Sequence, residues 1–146
     1  MKRLGVAALL MASLCFAKFS YASGDPISVT FDSFSGMEGK NGDTLDGSVK
    51  FVFANEGEHG QGEKMKLYYG SHGKGKTAED RCRWILLGAF LNLQKKAKDD
   101  GHGKVVDITT ASEANDPDQT SGDRGKCMCS ENHWKASTLI YYRYAH

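Results

Sequence analysis

Apolar positions follow three rhythms along this chain. From Leu4 to Ala17 they run almost without a break. Three later stretches alternate apolar with polar residues, the period of a half-buried strand. These are Ile27-Ser28-Val29-Thr30-Phe31, then Val49, Phe51 and Phe53, then Met65, Leu67 and Tyr69. The last two are expected to pair as a hairpin across the Gly/Glu-rich turn at 55–63. The third rhythm is helical. Cys82, Ile85, Leu86, Ala89, Phe90, Leu93 and Ala97 recur at steps of three and four, with Trp84, Leu87 and Leu91 widening the stripe. Thr77 offers an N-cap, with Asp80 three residues on as a capping-box variant. The helix is expected to end near Asp100, with Gly101 as its stop.

Two more strands complete the pattern, Lys104 to Thr110 and Trp134 to Tyr144, the second rich in β-branched and aromatic residues. Between them, 111–126 is polar and reads as a turn and a long loop. No internal repeat interrupts this order. Strands, one long helix, then strands predict an α+β fold. One long helix packs on a mostly antiparallel sheet of about four to five strands. The expected divisions are a signal peptide over 1–22, an N-terminal strand and mobile arm over 23–47, and a single domain over 48–146.

The first apolar run has the length of a signal-peptide core and is too short to span a bilayer. Lys2 and Arg3 precede it, and Ser20-Tyr21-Ala22 puts small residues at the outer two places of a cleavage site. Export and cleavage after Ala22 are expected, leaving 124 of the 146 residues. Lys2, Arg3 and Lys18 leave with the signal, turning the formal charge from +1 to −2. That balance argues against nucleic acid as a partner. Leu14 before Cys15 argues against a lipid anchor. The expected location is periplasmic or secreted, without stable membrane insertion.

Gly70-Ser71-His72-Gly73-Lys74-Gly75-Lys76-Thr77 matches G-x-x-x-x-G-K-[ST] in full, after a strand and before a helix. In a P-loop, Gly70, Gly75, Lys76 and Thr77 would hold phosphate and magnesium, with Val105-Val106-Asp107 as the second strand. Three features oppose this. An exported chain meets little ATP. The preceding strand alternates Lys with Met and Leu, whereas a P-loop strand is apolar on both faces. The chain is short for a multi-stranded parallel sheet. The favoured reading is a loop ending in a helix cap. A weaker alternative lets His72, Lys74 and Lys76 hold an anion without hydrolysis.

The mature chain keeps Cys82, Cys127 and Cys129. A bridge within Cys127-Met128-Cys129 would close a small ring, so Cys82 is expected to pair with one of the two. The leftover thiol leaves a monomer or a dimer through Cys127 open. The alternative is a soft-metal site built from Cys127, Cys129 and His133. His59, His72, His102 and His146 lie in polar segments and read as solvated. No C-x-x-C motif, Ser-His-Asp triad or acid/base pair of carboxylates can be argued from the order of residues, and no cofactor is implied.

Further segments carry a likeness: Leu45-Asp46-Gly47-Ser48-Val49-Lys50-Phe51, Glu79-Asp80-Arg81-Cys82-Arg83-Trp84, the helix body Leu86 to Ala97, and Val105-Val106-Asp107-Ile108, with a Cys before the last strand. Over roughly the last hundred residues the chain resembles small exported bacterial proteins usually labelled "excinuclease ATPase subunit". In length and compartment such proteins do not fit that label. The resemblance implies a small α/β envelope domain and no particular reaction. Its layout is also loosely similar to the Rcs outer-membrane stress-sensor domain. In the family pattern one Cys opens the helix and one precedes the last strand. Cys82 fits the first place, and Cys129 fits the second better than Cys127, by its distance to Ala136. The chain departs from the pattern in Cys127, in its Gly/Lys-rich loop and in Asp100-Gly101-His102-Gly103. The resulting expectation is a non-enzymatic module binding an envelope protein or small ligand. Metal binding and nucleotide or phosphate binding are the alternatives.

Overall fold

The computed structural model describes residues 24–114, 116–132 and 135–145. The expected signal segment, its cleavage site, His133, Trp134 and His146 lie outside these described residues.

Helix α1 spans Ala78–Asp99. Thr77 caps it as its position implies, its hydroxyl accepting from the Asp80 amide at 3.1 Å. Asp80 does not complete the box; its carboxylate turns outward to Arg83 at 2.8 Å. Gly101, at φ 79°, supplies the left-handed residue that ends the helix. Lys96 and Lys98 sit in the last turn, where the helix dipole favours cations. The expected stripe is buried from Cys82 to Ala97, and Leu87 joins it.

Seven strands form one curled, mostly antiparallel sheet beneath this helix. They are β1 (Asp25–Val29), β2 (Lys50–Phe53), β3 (Met65–Ser71), β4 (Lys104–Ala111), β5 (Thr120–Ser121), β6 (Cys127–Glu131) and β7 (Ala136–Tyr144). β7 is the spine. Along one side it pairs with β3 from Met65↔Tyr142 to Ser71↔Ala136. Along the other it pairs first with β6, then with β4. β1 lies outside β6, and the two-residue β5 pairs with the end of β4.

The expected hairpin between the second and third strands does not form. β2 runs parallel to β4, and β3 crosses to β7. The reason lies in burial. Phe51, Val52 and Phe53 are all buried, so β2 is covered on both faces. β3 keeps Lys66 and Tyr68 exposed and packs Met65, Leu67 and Tyr69 against the core. The chain after β2 turns through the short helix Ala54–Glu56 and crosses the sheet before β3 begins. Strand β6 was also not expected, since 127–131 carries no alternation. All five of its residues are buried.

Five phenylalanines fill the space between α1 and the sheet. Phe90 projects from the helix, with the rings of Phe31, Phe34, Phe51 and Phe53 centred 5.2–6.0 Å from its own. Phe31 and Phe34 come from the segment after β1, so that segment is part of the core. The expected arm is tied down as well. Gln94 is buried, donates to the Thr44 carbonyl at 3.0 Å and accepts from the Asp46 amide at 3.2 Å. Met37 and Leu45 pack against the core beside it.

Candidate functional site

The Walker-like loop leaves the end of β3, and its first residue, Gly70, is paired to Ser137 in an antiparallel ladder. Among the described residues β3 pairs only with β7, antiparallel, whereas a P-loop strand lies parallel inside its sheet. Thr77 spends its hydroxyl on the cap. Gly75 has φ 134°, and its carbonyl accepts from Arg81 at 3.3 Å. Glu79 and Asp80 occupy the first helical turn, placing two carboxylates where a bound phosphate would gain from the dipole. Lys76 is exposed, and Lys74 lies 5.1 Å over the Trp84 ring. Thr77→Ala should therefore cost about 1 kcal/mol through the lost cap. Lys76→Ala should leave stability unchanged within about 0.5 kcal/mol. Urea unfolding midpoints of the two variants check this pair of expectations.

Cys82 and Cys129 form a disulfide, with Cα atoms 5.9 Å apart and a sequence separation of 47. It ties the first turn of α1 to the middle of β6. Cys127 is the free thiol, fully buried on the core side of the same strand. Burial pushes its pKa up to about 12, so it stays protonated. Of the soft-metal trio, Cys129 has its sulfur in the bridge, Cys127 holds its proton, and His133 lies outside the described residues. Among the described residues no group of three or more metal-ligating side chains assembles.

A charged node forms where the sequence offered only Asp107 as a second Walker strand. Asp107 is buried in β4, at the bulge between Val106 and Thr109. Among the described residues it alone, outside glycine, has a positive φ, 53°. His59 Nδ1 lies 2.5 Å from its Oδ1, the Gly60 amide donates to Oδ2 at 2.8 Å, and Arg143 approaches Oδ2 at 3.4 Å. His59, expected to be solvated, is mostly exposed but anchored. The node pins residues 59–60 over the outer face of the sheet. A Cβ on Gly60 would sit 2.8 Å from both Arg143 Cβ and the Tyr144 carbonyl, so the approach requires glycine.

Burial alone would raise the Asp107 carboxyl. The Gly60 amide, His59 and Arg143 outweigh that and hold it below the usual range. A depressed folded pKa stabilises the fold above the unfolded value near 4 and loses that stabilisation as pH falls through the folded value. Asp107→Ala should cost about 3 kcal/mol at pH 7. Asp107→Asn should cost less, since Asn tolerates the left-handed backbone and still accepts from Gly60. Both variants should show a shallower loss of stability below about pH 4 than the parent, measurable by urea unfolding across pH.

Two surface features remain. A polar cleft of about 610 Å³ lies between α1 and the tied-down arm, lined by Asp43, Asp46, Gln94 and Lys98 among others. Lys98 and Asp46 approach to 3.7 Å across it. The second feature is the outer side of β3 and the start of β7. Residues 64–77 and 135–146 contain no Asp or Glu, but hold Lys64, Lys66, Lys74, Lys76, Lys135 and Arg143. Arg143 serves the Asp107 node. The ion pairs formed among the described residues include none of these five lysines. Lys64 lies over Tyr141 and Lys135 over Tyr68.

This strip was legible only as alternation of Lys with apolar residues. Its assembly depends on β3 pairing with β7, which local pattern does not specify. No family model, curated protein or solved structure matches the chain.

Proposed function

We propose that this chain is an exported module of the cell envelope that binds a partner protein or ligand and carries out no reaction of its own. The observation that supports this reading most is the buried Cys82–Cys129 bridge. A bridge of this kind persists in an oxidising compartment and is rare where thiols are kept reduced. The basic head, apolar run and small residues before Ser23 agree with it. So does the resemblance to small exported bacterial proteins, whose ATPase label the reading sets aside. The rigid α+β body would then present its outer surfaces for contact, with the Gly70–Thr77 loop serving as a helix entry.

Fractionation of bacteria producing the full chain tests the proposal. The mature protein should appear in the periplasm or the medium, with Ser23 at its N-terminus by mass spectrometry. Intact chain confined to the cytoplasm would contradict it. So would saturable, magnesium-dependent ATP binding that Lys76→Ala removes.

A further inference from the structure

We infer that the free edge of β3 takes an acidic, extended segment of a partner protein as an added strand. The inference deepens the binding-module reading and rests on it for the kind of partner. Three observations meet at this edge.

The first is an open ladder. β3 is seven residues long and, among the described residues, pairs only with β7. No further backbone hydrogen bond of residues 65–71 is formed within the described chain. Among the described residues one row of amides and carbonyls therefore has no backbone partner, which is the template for strand addition. The second is charge. Lys66 lies on β3 and Lys64 immediately before it, Lys74 and Lys76 on the loop that follows it, and Lys135 at the entry of its neighbour. All five are exposed, and none forms an ion pair within the described chain. The third is Tyr68, 56 % exposed in the middle of the strand. Its ring lies over Gly70, where a Cβ would meet its hydroxyl at 2.5 Å. An incoming strand would find an aromatic surface beside the ladder.

The lysines also define what the edge refuses. Two β3 edges brought together would set lysine-bearing strands side by side, and like charges across a pair are destabilising. Apolar strands are likewise discouraged by edge lysines. A segment that alternates acidic and apolar residues meets neither obstacle. Its carboxylates face the lysines, and its backbone completes the ladder. Charge attraction speeds the encounter, and the ladder fixes the register.

The test uses the purified, oxidised mature protein and an acetylated seven-residue peptide alternating Glu and Val. Binding should saturate below about 1 mM and weaken with salt. Amides of β3 that β7 leaves free should gain protection from hydrogen exchange. Lys66→Glu should weaken binding by roughly tenfold, while Lys126→Glu, outside the strip, should not. The same peptide with every backbone amide N-methylated keeps its carboxylates but cannot complete a ladder, and it should not bind. Equal binding of the methylated peptide would overturn the proposal. So would absence of saturable binding, or preferential binding of phosphatidylglycerol vesicles or single-stranded DNA. These outcomes are read on purified protein, so they are separate from whether the chain is exported.

Discussion

Phe90→Ala is expected to destabilise the oxidised protein by about 4 kcal/mol. Phe90 has no solvent exposure and is the one aromatic ring that the helix contributes to the phenylalanine cluster. Its contacts with Phe31 and Phe51 are edge-on, at interplanar angles of 74° and 80°. Such pairs add to the value of buried area. Truncation removes the ring that three chain segments share, and the backbone of α1 is held by the bridge at Cys82 and by Gln94, so the space cannot simply close. Against a total stability of roughly 5–15 kcal/mol, that loss leaves the domain marginal. Phe90→Leu should cost much less, about 1.5 kcal/mol or below. Urea unfolding under oxidising conditions measures both. A loss under about 1 kcal/mol for the alanine variant would mean that this cluster is not packed as described.

Cys82→Ser and Cys129→Ser should each cost about 2–4 kcal/mol, and Cys127→Ser should cost less and act differently. Closing a loop of this length restricts the unfolded chain by about 4 kcal/mol in the chain-entropy account. Either serine in the bridge releases that restriction, so the two single variants and their double variant should have similar midpoints. Cys127 forms no covalent link. Its loss removes a buried sulfur of the core and replaces a thiol 3.8 Å from the Arg124 carbonyl with a shorter hydroxyl arm, a local cost that leaves the bridge intact. In reductant the parent should fall to the level of the bridge variants, while Cys127→Ser should fall by the same increment as the parent. Equal losses at Cys127 and Cys129, insensitive to reductant, would mean the pairing is wrong.

The legible part of this fold is local. The helix could be read from Thr77 to Gly101 because cap, stripe and stop all lie within its own residues. The α+β order followed, and so did the half-exposed character of β3, since Lys66 and Tyr68 alternate with residues facing the core. What was not legible depends on distant partners. The run from Val49 to Phe53 reads as one arm of a hairpin, because nothing nearby shows that its partner is the distant, parallel β4. Cys127–Glu131 is buried on both faces, so it lacks the alternation that marks a strand. Asp107 is an acid inside an apolar run, a local signal that something must neutralise it. Its donors arrive from residues 59, 60 and 143, and no spacing rule connects them. The lysine strip is similar. Each lysine reads as ordinary surface, and only the β3–β7 register brings Lys135 to the strand and loop that carry the other four.

The chemical state of Cys82, Cys127 and Cys129 tests most directly whether the core is bridged and thiol-inert. Protein recovered without reductant is alkylated first in its native state and again after unfolding, then mapped by mass spectrometry. The expected result is a cross-linked peptide pair containing Cys82 and Cys129, with Cys127 unlabelled until the protein unfolds, because its thiol is buried and held protonated. Three thiols labelled in the native protein, or a bridge that contains Cys127, would contradict it.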